Sequence, residues 1–138
     1  MIGAADMARL HGAAFLEERT WSEAEFATLL DQPTVFAIGS VQAFALVRIA
    51  ADEAELLTIA TDPKHQRQGL AKQLMSQWHA KAAQHGARRA LLEVAEDNIG
   101  ARALYTETGY KEFFRRQEYY RTVGGAHVDA ILMDRELP

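Results

Sequence analysis

The chain has 138 residues, a net charge of −4 at neutral pH and no cysteine. That length suits one domain with a buried core. The acidic balance argues against non-specific binding to a nucleic-acid backbone, and the missing thiols exclude disulfides and cysteine-ligated metal. No apolar run approaches the ~20 residues of a membrane helix. The opening "MIGAADMARLHGAAFLEERT" lacks the basic start of a secretory signal, so a cytoplasmic protein is expected.

Met7, Leu10, Ala13, Ala14 and Phe15 recur at helical spacing, which predicts an amphipathic helix over residues 5–18. In "TWSEAEFATLL", Ser22 and Glu25 have the spacing of a capping box, flanked by Trp21 and Phe26 at staple spacing. A second short helix therefore begins there, and Pro33 ends it. "TVFAIGS" and "QAFALVRIA" are rich in β-formers and meet at Gly39-Ser40, which predicts an antiparallel hairpin. "EAELLTIATD" is a third strand, closed by Asp62-Pro63.

A long helix follows in "KHQRQGLAKQLMSQWHAKAAQHG": Leu70, Leu74, Trp78 and Ala82 form one i, i+4 row, Ala71, Met75 and Ala83 the neighbouring one, and Gly86 closes it. "RRALLEVAE" is a strand. "NIGARALYTETG" is a helix with Asn98 as N-cap and Gly109 at its end. "KEFFRRQEYY" and "HVDAILMDREL" are two further strands joined at Gly124-Gly125. The order α-α-β-β-β-α-β-α-β-β describes a mixed α/β sheet domain. His79 and His85 are six apart on the long helix and do not share a face, and His65 precedes a turn, so no metal site is expected.

Three features carry possible chemistry. "QRQGLAKQL" places Gly69 at the start of the long helix, with Arg67 and Lys72 nearby. A helix N-terminus has unpaired N–H groups and a positive dipole end, and a glycine there lets an anion approach the backbone. The stretch is neither a P-loop nor a dinucleotide fingerprint, and a plain helix start with a convenient glycine would read the same. Glu93 sits within an otherwise apolar strand, where a carboxylate is costly unless paired, hydrated or protonated. Strand alternation puts it with Leu91 and Ala95, opposite Leu92 and Val94. It is either a desolvated proton acceptor or a carboxylate paired with Arg88, Arg89 or another cation. Tyr105, twelve residues on, is either a proton donor or a core aromatic with a satisfied hydroxyl.

Gln66-x-x-Gly69-x-Ala71 resembles the acetyl-CoA-binding motif of the GNAT N-acetyltransferases. Asn98, Ala101, Leu104, Tyr105, Gly109 and Tyr110 resemble that superfamily's second motif, and the two occur in the right order. Within the superfamily the likeness is to RimI-type ribosomal-protein-alanine N-acetyltransferases, through "WSEAEF", "ELLTIATDPKHQRQGLAKQL", "LLEVAEDN", "ALYTETGY", "RRQEYY" and "VDAILM". The resemblance implies one α+β domain over residues 1–138: a mostly antiparallel mixed sheet, a central splayed parallel strand pair and flanking helices. It implies that Ile59, Ala60 and Thr61 hold the pantetheine arm. Arg67, Gln68, Gly69, Leu70, Ala71 and Lys72 would hold the diphosphate, and Asn98 would contact the arm. Glu93 is implied as proton acceptor and Tyr105 as proton donor. The implied partners are acetyl-CoA and an amine, the N-terminus of a ribosomal protein, with no metal, nucleic acid or membrane.

Four departures lie on the substrate side or at the N-terminus. The strand that usually precedes the first helix is short or missing, Glu18-Arg19-Thr20 replaces a proline and histidine, Val128 replaces an acidic residue, and "RRQEYY" carries one extra residue. They leave open a small-molecule amine as acceptor, or a non-catalytic acetyl-CoA-binding module. Tyr119 and Tyr120 with Arg115 and Arg116 would line a peptide groove or form an ordinary surface strand.

Overall fold

Alternating apolar residues build a single sheet that is covered by helices on both faces. The computed structural model describes residues 2–15, 21–121 and 124–138. In chain order these form α1 (Ala4–Ala14), α2 (Glu23–Leu30), β1 (Val35–Gly39), β2 (Ala43–Ala50), β3 (Glu53–Thr61), a 3₁₀ turn (Pro63–His65), α3 (Leu70–Gln84), β4 (Arg89–Ala95), α4 (Ile99–Glu107), β5 (Lys111–Arg121) and β6 (His127–Glu136). The strand order is β1-β2-β3-β4-β6-β5. Every neighbouring pair is antiparallel except β3 and β4. A parallel pair needs a crossover, and α3 supplies it.

Two cores result. On one face α1 and α2 bury Met7, Leu10 and Phe26 against Phe44, Leu46 and Ala60. On the other, Leu74, Met75, Trp78 and Tyr105 bury against Ala45, Val47, Leu56, Leu92 and Ile131. β2 is covered on both faces, so Ala43 to Val47 are buried without alternation.

Local chemistry sets the helix ends. Ser22 Oγ accepts from Glu25 N–H at 3.2 Å, Glu25 Oε1 accepts from Ser22 N–H at 3.1 Å, and the Trp21 and Phe26 rings meet at 5.5 Å. Capping box and staple are both present. α3 and α4 close alike, with left-handed Gly86 (φ 89°) and Gly109 (φ 98°). Ala87 N–H reaches Ala82 C=O at 3.0 Å, and Tyr110 N–H reaches Tyr105 C=O at 2.9 Å, the six-to-one bond of the Schellman closure.

One boundary differs from the sequence reading. α1 ends at Ala14, because Phe15 leaves helical geometry at φ −113°, ψ 82°; residues 16–18 of the expected helix, like Glu18-Arg19-Thr20, lie outside the described residues. α3 starts at Leu70 with Gly69 as its N-cap, where the sequence places it, and Arg67 (φ 65°) and Gly69 (φ 79°) are both left-handed after the 3₁₀ turn.

The central pair departs from regularity twice. In β2–β3, Val47 pairs with Leu56 but Leu46 with Thr58, so Leu57 is an extra bulged residue. In β3–β4, pairing covers only Glu53–Arg89, Ala54–Ala90 and Glu55–Leu91. Beyond it the strands diverge, leaving a cleft between residues 56–61 and 92–95. This is the splayed parallel pair expected above.

The hairpin glycine is the tightest in the chain. A Cβ on Gly39 (φ 133°) would lie 2.2 Å from Ala43 O, whereas one on Gly86 meets nothing within 4 Å. Gly86→Ala should cost about 1–2 kcal/mol of left-handed strain, and Gly39→Ala clearly more, because the hairpin must move. Urea denaturation compares them, and equal losses would contradict the close approach.

Candidate active site

The cleft lies where the carboxyl ends of β3 and β4 part. Ile59, Ala60 and Thr61 occupy the diverging half of β3 and pair with β2 through Ala45, Phe44 and Ala43. The opposite edge of that stretch has no ladder to β4, so its backbone groups line the cleft.

The chain then turns into α3. Gly69 is the N-cap, and no side chain caps the helix. The first backbone bond runs from Gln73 N–H to Gly69 C=O at 3.1 Å, which leaves the N–H groups of Leu70, Ala71 and Lys72 pointing out of the helix end. α2 and α4 differ, being closed by Ser22 and Asn98. A Cβ on Gly69 would meet nothing within 4 Å, so this glycine is required by its backbone angle and not by crowding from within the protein. Arg67 and Gln68 are exposed. Lys72 Nζ pairs with Glu107 Oε1 at 2.7 Å, which ties α3 to α4. Asn98 Oδ1 accepts from Ala101 N–H at 3.2 Å and serves α4 as its cap.

Glu93 lies on the half-open face of β4 with Arg89 and Leu91, while Ala90, Leu92 and Val94 face α3 and α4. Ala95, expected on Glu93's face, is buried. A cation from β5 stands beside Glu93: Arg116 Nη1 is 3.7 Å from Oε1. Arg89 is engaged elsewhere, with Glu53 at 2.6 Å and Asp134 at 2.8 Å. Arg116 also lies over the Tyr119 ring at 5.2 Å. Arg115 binds Glu112, Glu96 and Asp129, joining β5 to the β4–α4 corner and to β6. Asp129 Oδ1 accepts from Glu118 N–H at 2.9 Å, and that bond, followed by Arg115, holds its carboxyl below the usual range. The Tyr120 side chain lies outside the described part. Facing the bulge, a cavity of ≈ 570 Å³ opens between Trp21, Ala24 and Thr28 of the α2 segment and Arg48 and Leu57 of the sheet. No sequence signal marked it.

Tyr105 is buried, 5% exposed, in the α3/α4 layer. Its ring meets that of Tyr110 at 6.0 Å and 60°. Tyr110 Oη in turn lies 2.7 Å from Nε2 of His79 on α3. Burial, then Arg135, pushes His79 down to about 4. Burial also pushes the Tyr110 hydroxyl well above its ordinary value. The hydrogen bond therefore joins two uncharged groups. Glu93 and Tyr105 thus lie on opposite faces of the sheet. A pairing of histidine and tyrosine across 31 positions leaves no local sequence signal.

Residues 5–110 match the family described as Acetyltransferase (GNAT) family. The chain belongs to that family and is an acyltransferase. It is 36% identical over 132 residues to the [ribosomal protein bS18]-alanine N-acetyltransferase of Escherichia coli (strain K12), covering 90% of this chain and 88% of the relative. It is 30% identical over 138 residues to N-alpha-acetyltransferase RimI of Mycobacterium tuberculosis, covering 94% and 84%. The crystal structure of the ribosomal-protein-S18-alanine N-acetyltransferase from Escherichia coli superposes with a TM-score of 0.87 at 32% identity, covering 97% of this chain and 87% of that one. Arabidopsis thaliana NAA60 in complex with acetyl-CoA shares the fold, with a TM-score of 0.79 at 17% identity over 99% and 96% of the two chains. No described helix is long and apolar enough to cross a membrane.

The buried histidine has a consequence for stability. His79 binds a proton at about 4 when folded, against 6.5 when exposed, with Tyr110 and Tyr105 beside it and Arg135 adding positive charge. Between those values the unfolded chain holds more protons, so stability falls as pH drops from about 6.5 towards 4. His79→Gln should flatten that decline in urea midpoints measured at pH 7, 5.5 and 4.5, and an unchanged slope would contradict the assignment.

Proposed function

We propose that the protein transfers acetyl from acetyl-CoA to a primary amine, the α-amino group of a protein N-terminus of the ribosomal-protein-alanine type, through one acetyltransferase domain spanning residues 1–138. The observation that carries this is the uncapped, glycine-opened start of α3 at the mouth of the β3–β4 cleft. Three outward N–H groups at the positive end of a 15-residue helix suit a diphosphate. Acetyl-CoA supplies the acetyl group as an activated thioester.

In this reading Arg67, Gln68, Gly69, Leu70, Ala71 and Lys72 hold the diphosphate, with Lys72 steadied by Glu107. The backbone of Ile59, Ala60 and Thr61 lines the arm along the cleft, and Asn98 contacts it while capping α4. The neutral amine attacks and a C–N bond forms as the C–S bond breaks. Glu93 takes the proton the amine loses, and Tyr105 gives a proton to the departing sulfur. Exchange with solvent resets both groups. In this reading transfer is direct from thioester to amine, and the chain has no cysteine to carry the acetyl group. The half-open setting of Glu93 supports the role, since an acceptor amine reaches it from the side where the ≈ 570 Å³ cavity opens. That cavity also supports a second reading, a small-molecule amine as acceptor.

Thiol release from acetyl-CoA, measured against N-terminal peptides and free amines, tests the proposal. Turnover on alanine-starting peptides is expected; turnover on free amines alone favours the second reading, and none on either removes both. Tyr105→Phe should lower kcat about 10²–10⁴-fold, and undiminished turnover would remove its role.

Gly69→Glu should lower CoA affinity at least tenfold by calorimetry, because the new carboxylate stands at the anion-facing helix end. A Cβ at this place meets nothing within 4 Å, so the expected stability cost is left-handed strain of about 1–2 kcal/mol. Unchanged affinity would refute the diphosphate assignment.

A further inference from the structure

We propose that His79 is a positioning residue for Tyr105, acting through Tyr110. The inference rests on the reading of Tyr105 as proton donor.

The two tyrosines are the facing pair of one helix closure. Tyr110 N–H donates to Tyr105 C=O at 2.9 Å, with Gly109 left-handed between them. A Schellman closure typically brings the side chains at these two places together, and the rings meet at 6.0 Å. The Tyr110 ring is therefore the bed on which the Tyr105 ring lies. What fixes that bed is its hydroxyl. Tyr110 is 2% exposed, and a hydroxyl buried so deeply needs a partner. His79 Nε2 provides one at 2.7 Å, and the His79 ring is itself held edge-on by Trp78 at 4.3 Å.

The identity of the partner matters. A lysine or arginine at position 79 would place a fixed charge beneath Tyr105, close to Arg135, whose Nη1 donates to Thr108 C=O at 2.7 Å. A neutral imidazole anchors the ring without that charge. The bond also links the two helices that the proposed reaction uses. α3 carries the diphosphate turn at its start, and α4 carries Tyr105. Among the described residues, Lys72–Glu107 joins them at an exposed position, and His79–Tyr110 joins α3 to the α4 closure in the core. An exposed ion pair contributes little, whereas the part-buried His79–Tyr110 bond adds a directional contact to the apolar packing between α3 and the α4 closure. A hydroxyl displaced by about 1 Å from the reacting sulfur can cost up to ~10²-fold in rate.

The test uses the full chain with Tyr110→Phe, His79→Leu and His79→Gln, each also combined with Tyr105→Phe, at a temperature where all are folded. Tyr110→Phe and His79→Leu should lower kcat roughly tenfold, with KM for acetyl-CoA within about twofold. His79→Gln keeps a hydrogen-bonding partner and should restore most of the loss. None of the three should lower kcat further once Tyr105 is phenylalanine. Equal losses in the Tyr105→Phe background, or full activity in all three variants, would overturn the proposal. A second readout needs no turnover: ¹³C-tyrosine NMR of the CoA-bound protein should show the Tyr105 ring signal shifted or broadened in His79→Leu and close to wild type in His79→Gln. If Tyr105→Phe proves fully active, the proton-donor reading fails on its own. The NMR signal then decides, and an unmoved Tyr105 resonance in His79→Leu overturns the positioning role.

Discussion

The parting of β3 from β4 is the constraint on which the rest of the architecture depends. The antiparallel neighbours stay together: β4 pairs with β6 along its whole length, β2 with β3 along nearly all of theirs, and β5 with β6 apart from irregularities at Phe113 and at residues 117–119. Only the parallel pair opens, after three residue pairs. The bulge at Leu57 begins where that pairing stops, and a bulge bends and twists its strand. β3 stays with β2, β4 stays with β6, and the divergence falls between them. A cleft at the carboxyl ends of parallel strands is where α/β sheets bind ligands.

The helix ends express the same division of labour. α2 is closed by Ser22 and Glu25, and α4 by Asn98, with side-chain oxygens satisfying N–H groups that would otherwise be unpaired. α3 begins at the cleft and receives no such cap. Two left-handed residues, Arg67 and Gly69, aim its first turn outward. Arg67 is the less comfortable of them, because a side chain at positive φ costs stability. Non-glycine residues at positive φ occur also at Ala51, in the β2–β3 turn, and at Glu118, in the β5 irregularity.

What the sequence disclosed follows from how local each feature is. The capping box at Ser22, the glycine closures at Gly86 and Gly109, the element order and the glycine that opens α3 rest on residues within a few positions of each other, and each has its expected place in the structure. The α1 end is a boundary, decided by backbone angles at Phe15 that side-chain periodicity does not encode. The partners of Glu93, Lys72 and Tyr110 come from β5, α4 and α3, so they depend on the topology and have no signature in the neighbouring sequence. The sequence offers Arg88, Arg89 or another cation as a partner for Glu93, and Arg116 is such a cation. Arg89 instead bridges Glu53 and Asp134, because its neighbours in the sheet are β3 and β6.

The two faces of the cleft are built from different materials, and this bears on which part of the reaction each would serve. On the α3/α4 side, Tyr105, Tyr110 and Trp78 are buried in close-packed surroundings, where a change of one group is felt by several others. On the Glu93 side, the sheet beyond α1 and α2 carries half-exposed ion pairs: Glu53–Arg89–Asp134, Arg116–Glu93 and the Arg115 network. Each such pair contributes little to stability, so this surface can be rewritten without endangering the fold. Under the proposed roles, acetyl-CoA meets the rigid side and the acceptor meets the adaptable one. The substitution of Val128, at the β6 end of the same surface, falls where the structure tolerates change most easily. Under the same roles, a departure from the family pattern there bears on the choice of amine and not on the part of the cleft that would hold the acyl donor.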